Sequence, residues 1–70
     1  MEFYFIEISD VCGYDLIATG RTPKETINNA WKYYRSAGDT DFTSKKEWLK
    51  WHGVCEASCC KRVIGEVWYE

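Results

Sequence analysis

The stretch Thr22-Pro23-Lys24-Glu25 constrains the fold of this chain more than any other. A Thr at the N-cap accepts from a free backbone N–H, and Pro at the first helical position has no N–H to satisfy. A Glu three residues after the cap reaches back to the cap's own N–H. A helix therefore starts at Pro23. Ile27, Ala30, Trp31 and Tyr34 follow at helical spacing and give it an apolar stripe. The pattern predicts a helix from Pro23 to about Ala37, capped at Gly38, with Trp31 buried on a sheet.

The sheet comes from what precedes and ends the chain. Residues 2–9, EFYFIEIS, are aromatic and β-branched, with Tyr4, Ile6 and Ile8 on one face and Phe3 and Phe5 on the other. Asp10 and Gly13 suit a turn in DVCG, and YDLIATG reads as a second strand ending at Gly20, so the two form a hairpin. Ser44 and Glu47 make a second capping box, which predicts a short helix from Lys45 to Trp51 stopped by Gly53, with its Trp residues and Leu49 toward the core. The tail CKRVIGEVWYE reads as a third strand. The order β-β-α-α-β defines an α+β fold: a small antiparallel sheet of about three strands, with one main and one short helix packed on one face.

Length limits this architecture to a single domain over residues 1–70. A chain of this size buries only roughly 60% of its unfolded surface, so its margin of stability is thin. Four Trp, five Tyr and three Phe compensate, since each packed ring removes about 150–250 Å² from water. They also exceed what one helix can cover, which leaves aromatic surface for an interface. Of these, Tyr14, Tyr33, Trp68 and Tyr69 fall where strand or helix alternation turns them outward, with Asp15 beside them.

Nine Lys and Arg against eleven Asp and Glu leave a net charge of −2. Nucleic-acid coating draws its affinity from a basic face that displaces counterions, and here only Lys45-Lys46 and Lys61-Arg62 are basic runs. Direct nucleic-acid binding is therefore not expected, although Lys45, Lys46, Trp48 and Trp51 form an alternation of cations and rings that suits base stacking. Asp10, Asp15, Asp39 and Asp41 are scattered at turns, where capping or solvation explains them. The N-terminus has no basic region followed by a long apolar run, so neither a signal peptide nor a membrane span is expected, and the protein is read as cytoplasmic with reduced thiols.

The segment Trp51 to Cys60 holds the only His and three of the four Cys. Zinc takes four such ligands in close pairs, and His52, Cys55, Cys59 and Cys60 are the candidates for a metal or redox module. Gly53 breaks the helix that would align them, and no C-x2-C pair is present. Small buried hydrophobes are the preferred role for these Cys, with no cofactor. Catalysis by Cys55 and His52 needs an enclosing pocket and an oriented base that so short a chain gives little room for.

Gly20, Thr22, Glu25, Asn29 and Ala30 carry a resemblance. The segment Gly13 to Tyr34 is similar to the strand–Gly-x-Thr–helix passage of HicB-like antitoxin domains, which pair a comparable helix start with an Asn-Ala step. It spans about a third of the chain. The resemblance implies a toxin nuclease as partner. In size and acidity the chain also looks like the inhibitor and accessory proteins carried by phages and plasmids. The expected function is that of a non-catalytic protein-binding module, covering a surface of a larger enzyme such as a nuclease of host defence. A homodimer is also compatible with this reading.

Overall fold

A computed structural model describes residues 1–11, 13–38 and 41–65. Strands β1 (Glu2–Val11) and β2 (Tyr14–Gly20) lead into helix α1 (Pro23–Ser36) and helix α2 (Lys45–His52); a 3-10 turn (Glu56–Ser58) then precedes strand β3 (Cys60–Val63). The sheet order is β2-β1-β3, with β1 antiparallel to both neighbours. This is the α+β arrangement expected from the capping and alternation signals.

Local chemistry sets the element boundaries. Thr22 Oγ1 accepts from Glu25 N–H at 3.1 Å, and Glu25 Oε1 accepts from Arg21 N–H. Ser44 plays the same part for α2. At their other ends α1 gives way to Gly38 in the left-handed region and α2 to Gly53 in the same region, a conformation that costs glycine little.

In β1 the side chains of Ile6 and Ile8 face the helices, and strict alternation would send Asp10 inward next. The register shows otherwise: Ile8 pairs with Leu16 and Val11 with Tyr14, so β1 carries one residue more than β2 between those pairs. This is a β-bulge, with Asp10 at φ 56°. It turns Val11 into the core and leaves the Asp10 carboxylate outside. The strand thus runs two residues beyond the stretch that alternation predicts.

The core joins Ile6, Ile8, Val11 and Leu16 of the sheet to Ile27, Ala30 and Tyr34 of α1 and Trp48 of α2. Trp48 is 0% exposed and its ring stacks on Tyr34 at 4.9 Å between centroids. The expectation that Trp31 is the buried indole on the sheet is corrected. Trp31 is half-buried and lies at the seam between the helices, 5.5 Å from the Tyr34 ring and 5.4 Å from that of Trp48, with the Arg35 guanidinium over it. Ile27, Ala30 and Tyr34 already occupy the part of α1 that meets the sheet, and Trp31 sits a quarter-turn round from Ala30, toward α2. Fully buried Thr26 is the other inward position, its hydroxyl donating to Thr22 O at 2.8 Å.

Two further expectations change. Trp51 does not face the core but is 75% exposed, one turn along α2 from the buried Trp48. The third strand is short, since the chain turns at Ile64–Gly65 after Val63. The rest of that predicted strand, with Trp68 and Tyr69, lies outside the described residues. Among the described residues no helix is long and apolar enough to cross a membrane.

Candidate functional site

Strand β2 forms one edge of the sheet, and its alternation places Leu16 in the core and Ile17 on the opposite face. Tyr33 projects from α1 beside this edge. Tyr14, Asp15, Leu16, Ile17 and Tyr33 together line one groove of about 310 Å³. Tyr14 and Tyr33, singled out by alternation, and the neighbouring Asp15 are therefore brought to one place. Tyr14 is 41%, Tyr33 56% and Ile17 64% exposed, so the groove has two aromatic walls and an aliphatic lip in water.

The groove is held from behind. Asn29 Nδ2 donates to Thr19 O at 2.9 Å and ties α1 to β2 one turn before Tyr33. Asp15 Oδ1 accepts from the Asp10 N–H at 3.3 Å, bridging the bulge. That bond links the groove to a second concavity, lined by Asp10 and Asp41 together with Phe42, Trp48, Trp51 and His52. The acids read as scattered turn residues are thus gathered, Asp10, Asp15 and Asp41 all lying at the hairpin-turn end of the domain; Asp39 lies outside the described residues.

Sequence reasoning missed exposed Ile17 and the pairing of half-buried Phe42 with Trp51. For Ile17 the signal was present, because a strand that turns Leu16 inward turns its neighbour out. For Phe42 and Trp51, which meet at 6.1 Å between ring centroids, the contact depends on the path of the connection into α2.

The His and Cys of the tail have separate surroundings. His52 ends α2 with its ring edge-on to Trp48 at 5.6 Å. Cys55 precedes the 3-10 turn, its N–H donating to Ser58 Oγ at 3.0 Å. The Cys59 thiol points to Pro23 O at 3.7 Å and packs against the core, and Cys60 opens β3 opposite Phe5. Among the described residues no group of three or more His, Cys, Asp or Glu is arranged to hold a metal ion. Burial pushes the Cys59 thiol above its usual range, and the neighbouring Cys60, Glu56 and Cys55 push the same way. A higher pKa means less thiolate at neutral pH and slower attack on an electrophile. Iodoacetamide is therefore expected to label exposed Cys55 and Cys60 before Cys59 in the folded protein. Peptide mass spectrometry after partial labelling checks this order, and Cys59 reacting first would contradict it.

The base-stacking set is dispersed as well. Trp48 is wholly buried, and Lys45 Nζ donates to Asn28 Oδ1 at 2.6 Å, leaving Lys46 and Trp51 as its exposed members. Compared with protein-family models, curated proteins and solved structures, the chain finds no match.

Proposed function

We propose that the protein is a non-catalytic protein-binding module of the cytoplasm. It covers a surface of a larger enzyme, in the manner of the inhibitor and accessory proteins of mobile elements. The observation that supports this most is the convergence of Tyr14, Asp15, Ile17 and Tyr33 on one groove at an edge strand. Interface energy concentrates in aromatic anchors, and these are carried on a strand and a helix fixed by the core behind them. Carboxylates at the same end, with a net charge of −2, suit a basic partner surface such as the channel of a nucleic-acid-processing enzyme. The strand–helix passage resembling HicB-like antitoxin domains points to a nuclease as the partner's class.

The test is capture of the partner from the native host, with wild type and Tyr33→Ala as paired baits. Tyr33 is 56% exposed, so its truncation should change stability by no more than about 0.5 kcal/mol. At a hot spot the same change should weaken binding by about 2 kcal/mol, near thirtyfold in Kd. Asp15→Ala should act mainly on the association rate, an effect that salt diminishes. A partner held equally by wild type, Tyr33→Ala and Tyr14→Ala would refute the proposal. So would turnover of a substrate by the purified chain at a rate that depends on Cys55.

A further inference from the structure

The cavity beside Trp51 is distinct from the β2 groove and has its own chemistry. It is an open concavity of about 120 Å³, lined by Phe42, Trp48, Trp51 and His52 with Asp10 and Asp41 among others. A water occupies about 30 Å³ in the liquid, so the space matches the outer half of a long side chain more than a cofactor. Phe42 and Trp51 face it as a tilted pair, 6.1 Å between centroids at 45°, and the Trp48 indole is fully buried behind them.

Aromatic faces are electron-rich and attract cations, most strongly where water is excluded. Carboxylates at the same opening add an opposite charge. Among the described residues no Lys or Arg lines this cavity. The neighbouring Arg35 is turned elsewhere, its Nη1 donating to Phe42 O at 3.0 Å and its guanidinium lying over Trp31. The bulge is what delivers Asp10 to this site: without the extra residue in β1, its side chain would point into the core. Trp51, 75% exposed, contributes apolar surface that the fold itself does not bury.

We infer that the cavity formed by Asp10, Asp41, Phe42 and Trp51 receives a lysine or arginine side chain of a protein partner. Taking the cation from a protein rests on the binding proposal above; the cavity's preference for a cation does not. An anchor of this kind adds specificity at the hairpin-turn end, since an acidic side chain there is repelled by the carboxylates and a purely aliphatic one gains nothing from them.

The experiment uses the folded chain alone, with the blocked amino acids Nα-acetyl-lysine methylamide, Nα-acetyl-arginine methylamide and Nα-acetyl-norleucine methylamide as probes. Indole N–H signals in a 15N-correlated NMR spectrum are assigned by loss of the Trp51 signal in Trp51→Phe. A saturable, millimolar shift of the Trp51 signal is expected with the lysine or arginine probe, and none that saturates with norleucine. The pair Asp10→Asn and Asp41→Asn should weaken it by about tenfold or more, the worth of one paired charge. Asparagine tolerates the left-handed backbone at position 10 as well as aspartate does, so the bulge is kept. Glu7→Gln, which removes one negative charge outside the cavity, should bind as wild type. No saturable shift with either basic probe, equal saturable binding of norleucine, or unchanged affinity in the double Asn variant would overturn the inference. None of these results depends on Tyr14 or Tyr33, so a failure here is separable from a failure of the β2 groove.

Discussion

Trp48→Ala is expected to cost about 3–5 kcal/mol, the range for emptying a buried aromatic site. The indole is 0% exposed and is the point where α2 meets the rest of the core. Its ring lies 4.9 Å from Tyr34 and 5.4 Å from Trp31, so truncation removes contacts from both aromatic neighbours on α1. α2 spans eight residues, too few to hold as a helix without its packing. A domain of this size has few kcal/mol in reserve, so the variant should be largely unfolded or lack α2 at room temperature. Trp48→Phe should be milder, about 1–2 kcal/mol. It keeps an aromatic ring in place and removes an indole N–H that has no acceptor among the described residues, so no hydrogen bond to them is lost. Trp31→Ala should also be milder, because Trp31 is only half-buried at the helix seam. Urea titrations of the three variants rank them. A Trp48→Ala protein as stable as wild type, or less affected than Trp31→Ala, would show that the seam and not the sheet side carries the packing.

That exchange of roles between two Trp residues shows where the sequence stops being legible. Helix starts and stops were legible because caps are local: Thr22 with Glu25 and Ser44 with Glu47 satisfy backbone groups within one turn of themselves. Strand phase was legible through Ile6 and Ile8 of β1, and the exposure of Tyr33 through its place off the apolar stripe of α1. The bulge was not. Asp10 suits a turn and a bulge equally well, and the phase change that buries Val11 appears only in the pairing with β2. Trp31 and Trp48 both sit on apolar stripes, and which indole reaches the centre depends on how α1 and α2 pack together. The cavity beside Trp51 depends on the same packing, because Asp10, Asp41 and Trp51 come from three segments far apart in the chain.

Gly20→Ala is expected to destabilise the fold by about 3 kcal/mol, at the upper end for overpacking. Gly20 closes β2 just before the N-cap of α1, and a Cβ built on it would lie 2.7 Å from Thr26 N and 2.8 Å from Thr26 Oγ1. The first of these is backbone, so no rotamer change relieves it. The whole first turn of α1 has to move, and that turn is anchored by the Thr22 cap and by Thr26 N–H donating to Thr22 O at 2.9 Å. At about 4–8 °C per kcal/mol for a domain this small, melting should fall by roughly 12–24 °C. At Gly13 an added Cβ meets nothing within 4 Å, so Gly13→Ala costs only the backbone conformation at φ 87°, about 1 kcal/mol. Adding Thr26→Ala to Gly20→Ala removes the hydroxyl contact but leaves the backbone one, so the double variant should recover little of the lost stability. Recovery to the level of Thr26→Ala alone would place the clash on the side chain, and a Gly20→Ala melting curve like that of wild type would show that α1 does not pack this closely on the end of β2.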